Sequence, residues 1–149
     1  MKWIDLPPVW LGLFLVLVWW APQFGFAAER NVPWLGFVGW ALVALGLCLM
    51  ILAVMQMARH RTTVIPHLQP SALVKTGIFG ISRNPIYLGD ALVLAGFVLI
   101  WDTSILFLLL VPAFMFLITR RFIMDEESRL NQAFGEEFAT YCRSTRRWL

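Results

Sequence analysis

Two short stretches of this chain hold residue types that do chemistry at useful spacings. The first, Ser82-Arg83-Asn84-Pro85-Ile86-Tyr87-Leu88-Gly89, lies where a polar segment meets an apolar one. A residue before proline is pushed out of helical geometry, and proline suits the first position of a helix, where its missing N–H does no harm. A helix that begins at Pro85 aims free backbone N–H groups and the positive end of its dipole at the polar side. Arg83 adds a fixed charge there, Tyr87 an amphipathic ring and Gly89 room for a close neighbour. Such a corner can receive an anion at a membrane edge; read alone, it is equally a capped helix with an interfacial anchor. The second stretch is Asp125-Glu126-Glu127, preceded by Arg120-Arg121. Paired carboxylates beside arginines suit a zwitterionic ligand with a cationic centre, although acids also favour a helix start for the dipole alone.

The elements that must position these residues are membrane helices. The 149 residues are 60% hydrophobic and only 14% charged, with a mean hydropathy of +0.73. That departs from soluble domains, which are about 45–50% apolar and 25% charged. The chain reads as one all-α, polytopic membrane unit with spans at 6–24, 33–57, 86–101 and 104–119. The last two form a tight hairpin across Asp102-Thr103, either of which suits the cap of the second helix. Trp3, Trp10, Trp19 and Trp20 flank the first span as an aromatic belt. It reads as a retained span rather than a signal peptide, because Asp5 offsets Lys2 and Pro22 with bulky aromatics precedes the small-residue pair Ala27-Ala28. Gly36, Gly39 and Gly46 give the second span small faces for close helix packing.

Two polar segments remain, 58–85 and 120–149. The first carries Arg59, His60, Arg61, His67, Lys75 and Arg83 and no acid, and its Leu73-to-Phe79 part is apolar enough to fold back on the membrane face. In the second, Leu130, Phe134, Phe138 and Tyr141 recur at helical spacing, so a C-terminal amphipathic helix is expected. Basic residues concentrate in both segments, which places them, and both termini, on the cytoplasmic side of a membrane, with the cell inner membrane the expected one. The net charge of +3 is accounted for by that retention and gives no nucleic-acid signal. Cys48 and Cys142 sit in an apolar run and a polar tail, so no bond between them is expected, and no metal-ligand spacing is present. Asp90 is an acid within an apolar run and should face protein or a wet cavity.

The spaced blocks Leu73-Val74-x-x-Gly77-x-Phe79, Ser82-Arg83-Asn84-Pro85-x-Tyr87-x-Gly89, Glu126-Glu127-x-x-Leu130 and Phe134-Gly135-x-x-Phe138-x-x-Tyr141 together resemble the isoprenylcysteine carboxyl methyltransferase family. The likeness covers about the C-terminal half. It implies an integral membrane methyltransferase that uses S-adenosylmethionine at the cytoplasmic face, acting on a small lipid-like or isoprenoid-like acceptor. By the same resemblance Ser71, Ala72, Leu73, Val74, Phe79, Asn84, Pro85, Ile86 and Tyr87 line the cofactor pocket, and Glu126 holds the cofactor's polar end. Arg83 joins this set through its charge at the helix start. The catalytic pair is Arg121, an arginine just before the acids that faces the acceptor, and Glu127, which with Asp90 is a base for an amine or hydroxyl acceptor. A carboxylate or thiolate acceptor needs no base. The chain departs from the family at Asn84, where eukaryotic members often have His, and at Phe79 and Phe138, where Tyr is common. Arg121 also lies five residues before Glu126 rather than four. Two other readings compete: an NADPH-dependent reductase of the sterol-reductase kind, and a non-enzymatic membrane scaffold.

Overall fold

The computed structural model describes residues 6–27, 32, 34–62, 72–101 and 103–149. Among them the secondary structure is helical, with one isolated antiparallel bridge between Ala27 and Thr103. Helix α1, Pro7–Trp20, starts on two prolines, whose fixed φ suits a first turn, and runs into a 3₁₀ turn, Ala21–Phe24. Gly25 then takes a left-handed φ of 84° and ends it. Helix α2, Trp34–Arg59, and helix α3, Pro85–Ile100, follow. A 3₁₀ stretch, Ile105–Leu109, leads into α4, Leu110–Ile118, then a π turn at Thr119–Ile123, then α5, Met124–Ser144.

Pro7–Phe24, Trp34–Arg59 and Ile105–Ser144 are long and apolar enough to cross a membrane, and Pro85–Ile100 is a shorter apolar helix. Large apolar side chains such as Trp34, Phe37, Leu109 and Phe116 are exposed, a surface that needs lipid rather than water against it. The protein is therefore an integral membrane protein.

Helix α3 is the centre. It packs against α2 on one side and against α1 and α4 on the other, which is why eleven of its residues are buried. Asp90 is among them, 4% exposed, so it faces protein as an acid in an apolar helix must. The α2–α3 contact is backbone on backbone. A Cβ placed on Gly46 would stand 2.6 Å from the Gly89 carbonyl oxygen, and one on Gly39 would stand 2.7 Å from that of Gly96. The two pairs lie two helical turns apart on antiparallel helices. Gly36, grouped with them in the sequence, meets nothing within 4 Å.

The apolar stretch ends at Arg120-Arg121 while the helix continues through the π turn into α5 with no loop; arginine is a good helix former and puts no stop there. Two expectations need correction. Thr103 caps nothing: its hydroxyl donates to the Val18 carbonyl at 3.3 Å and so ties the hairpin to α1. The amphipathic helix is broken at Gly135 (φ 47°, ψ −118°), so its stripe divides into Leu130 and Phe134 before the kink and the buried Phe138 and Tyr141 after it. Asp102 lies outside the described residues.

Candidate active site

The Ser82–Gly89 corner forms as its sequence dictates. Asn84 has φ −130° and ψ 59°, outside helical geometry, and Pro85 opens α3. The Ser82 hydroxyl oxygen accepts from the Asn84 backbone N–H at 3.1 Å, which stiffens the turn. The polar side of this corner meets the chain's own C-terminal backbone. Arg83 N–H donates to the Arg146 carbonyl at 3.0 Å, and Asn84 Nδ2 and the Ser82 hydroxyl donate to that of Arg147 at 2.9 and 3.4 Å. Nothing in the sequence pattern signals this return of the tail.

The acidic turn of α5 reaches the same place. The Tyr87 hydroxyl donates to Glu126 Oε1 at 2.6 Å. Glu126 lies beyond the apolar stretch, and burial pushes its carboxyl up to about 7, the Tyr87 hydrogen bond and Arg129 acting against that rise. Glu127 is held differently. Arg147 grips it with two bonds, Nε to Oε1 at 3.0 Å and Nη2 to Oε2 at 2.6 Å. Arg83 Nη2 stands 3.3 Å from its Oε1, and Arg83 Nη1 also contacts Cys142 Sγ. Cys48 and Cys142 are both free thiols.

Beside Arg83 is a cavity of about 80 Å³ lined by Met57, Thr62, Ala72, Leu73, Val74, Phe79, Arg83, Leu130 and Tyr141. The α2 end supplies Met57, and Thr62 follows it; the folded-back 72–80 stretch supplies the floor. Val74 and Phe79 are buried against Ala53 of α2, with Ile86 packed beside them. The Tyr141 hydroxyl donates to the Phe79 carbonyl at 2.6 Å and holds that stretch under α5. The described residues enclose less than the about 300 Å³ from which small-molecule sites usually begin.

The structure thus brings Ala72, Leu73, Val74, Phe79 and Arg83 to one cavity, and Tyr87 to Glu126. Asn84, Pro85 and Ile86 build the corner without lining the cavity. Ser71 lies outside the described residues. Arg121 is turned elsewhere: its guanidinium sits 5.7 Å from the Trp10 ring of α1. The five-residue spacing from Arg121 to Glu126 coincides with the π turn, in which Met124 N–H bonds to the Thr119 carbonyl. Such a turn takes in one extra residue, so the irregular spacing has a structural counterpart. Thr62 was not picked out by sequence, because a single threonine in a polar run carries no periodic signal. Among the described residues, no group of three or more His, Cys, Asp or Glu could hold a metal ion.

A family model described as phospholipid methyltransferase matches residues 34–137, a stretch that takes in α2, α3, α4, the π turn and most of α5. No curated protein and no solved structure matches the chain.

Proposed function

The chain belongs to the phospholipid methyltransferase family, and from that premise we propose that it transfers a methyl group from S-adenosylmethionine to a small lipid-like or isoprenoid-like acceptor at the cytoplasmic face of the membrane. The observation that carries this reading is the Tyr87–Glu126 hydrogen bond, which closes the Asn-Pro corner and the acidic turn over one region beside the cavity. The match favours neither the reductase nor the scaffold reading.

The residues present fit the cofactor. Arg83 Nε is buried with no hydrogen-bond partner at a cavity walled by Leu73, Val74 and Phe79, an apolar slot with an unanswered donor. Glu126 offers a carboxylate for a cationic end, with one oxygen fixed by Tyr87. When bound, S-adenosylmethionine supplies an electrophilic methyl group on a sulfonium. In-line displacement at such a carbon gains most from holding both partners in register, and the chain's residues divide that work. Ala72 continues the Leu73–Val74 wall, and Ser71 belongs to the proposed cofactor set by sequence alone. Asn84, Pro85 and Ile86 fix the corner from behind. Both oxygens of Glu127 are engaged by Arg147, so its role is to position Arg83 rather than to take a proton. Arg121, on the α1 side, faces the acceptor and holds an anionic group if it has one. Asp90, one turn beyond Tyr87 in α3, is the remaining carboxylate for an acceptor that must lose a proton.

Four crossings, with both termini and the site on the cytoplasmic side, complete this reading. Titration calorimetry of the purified protein with S-adenosylmethionine or S-adenosylhomocysteine tests it; a folded sample that binds neither sinks it. Methylation screens with a radiolabelled donor then separate carboxylate, thiol, amine and hydroxyl acceptors.

A further inference from the structure

Among the described residues, two buried side-chain polar atoms lack a hydrogen-bond partner, Thr62 Oγ1 and Arg83 Nε. Both residues line the same cavity. A buried polar group left without a partner is costly, and two at one cavity mark a site that a ligand completes. The rest of the wall is apolar or aromatic, with Leu73, Val74, Phe79 and Leu130 prominent. The Tyr141 hydroxyl is already engaged by the Phe79 carbonyl.

The chemistry of the two atoms limits the ligand. The terminal nitrogens of Arg83 face Glu127 and Cys142, which leaves Nε–H as a lone donor. Thr62 Oγ1 both donates and accepts. A donor beside a donor–acceptor hydroxyl, between apolar walls, complements the edge of a flat heteroaromatic base. A ring nitrogen accepts from Arg83, and an exocyclic amino group donates to Thr62. A carboxylate fits less well, because the charge of Arg83 is already met by Glu127 and the surrounding walls offer it no further donors. Resting on the methyltransferase reading above, we propose that Thr62 and Arg83 read the hydrogen-bonding edge of the cofactor's adenine base and set the enzyme's preference for it.

The test uses the full chain in detergent micelles and three probes. They are S-adenosylhomocysteine, 5′-methylthioadenosine (which lacks the amino-acid tail) and S-inosylhomocysteine (which carries an oxo group in place of the base amino group). Wild-type protein should prefer the adenosyl to the inosyl compound. Thr62→Val should weaken both adenine-bearing probes by a similar factor, about five- to tenfold for one lost hydrogen bond, and narrow the preference over the inosyl compound to what the Arg83 donor alone provides. Thr62→Ser should retain it. Without ligand, Thr62→Val should melt no lower than wild type, since it removes an unsatisfied hydroxyl. If Thr62→Val weakens S-adenosylhomocysteine but leaves methylthioadenosine unchanged, the hydroxyl serves the amino-acid end and the proposal is wrong. Unchanged affinity for all three probes also overturns it. Wild-type protein that is folded yet binds no adenosyl compound overturns the methyltransferase reading as well, an outcome set apart by needing no variant.

Discussion

Tyr87 in α3 and Glu126 in α5, thirty-nine positions apart in the chain, are joined by a 2.6 Å hydrogen bond from hydroxyl to carboxylate. The central apolar helix is thereby fastened to the polar helix α5. Glu126→Gln or Tyr87→Ala should weaken S-adenosylhomocysteine binding about tenfold, the worth of one bond to a charged group, while circular dichroism stays native. Unaltered calorimetric affinity in both variants would remove these residues from the site.

Burial pushes Glu126 up to about 7, and the sign of its pH effects follows. The folded protein retains a proton that the unfolded chain gives up near its ordinary 4.5, so this group's contribution to stability falls as pH rises from 4.5 to 7. Binding runs the other way. A cationic ligand end meets an ionised carboxylate above about 7, so affinity should rise between pH 6 and 8, and Glu126→Gln should flatten that rise. A wild-type profile as flat as the variant's would contradict the assignment.

Arg83 is held by Glu127, Cys142 and the Arg146 carbonyl at once. Lysine keeps the charge but not the planar fork. Arg83→Lys should therefore lower ligand affinity several-fold, whereas a scaffold that merely attracts anionic lipid would tolerate it. Vesicle binding and calorimetry on the same preparation separate the two.

The glycine pairs predict a stability effect away from the site. Gly46→Ala must displace the Gly89 carbonyl, 2.6 Å from the new Cβ, and overpacking of this kind costs about 1–3 kcal/mol. Gly36→Ala has open space and should be neutral or slightly stabilising. Thermal unfolding in detergent compares them; equal midpoints would mean that α2 and α3 are not locked by these contacts.

Much of this was legible in the residues themselves. Apolar runs located the helices, Asn84-Pro85 located the start of α3, and Phe138 and Tyr141 were on the buried stripe. The missing parts are those with no local pattern. The tail beyond Ser144 docks through backbone carbonyls of Arg146 and Arg147, which any residue type could offer, and through the Arg147 grip on Glu127, twenty positions away with no periodic signal. Arg120 and Arg121 end an apolar run, but charge alone does not say that backbone hydrogen bonding continues through them. Arg121 turned to Trp10 because the rotation of a helix around its axis is set by its neighbours.

The wide turn at Thr119–Ile123 has a consequence for the chain's tolerance of length change. Each residue of a helix advances its azimuth by about 100°. Because the wide turn takes in one extra residue, dropping one there restores an ordinary α turn and leaves both glutamates near their present azimuth. The same deletion in α4 swings them more than a quarter-circle off their partners. A single deletion inside those five positions should therefore be milder than one in α4, because losing that supernumerary peptide keeps the phase of the whole of α5.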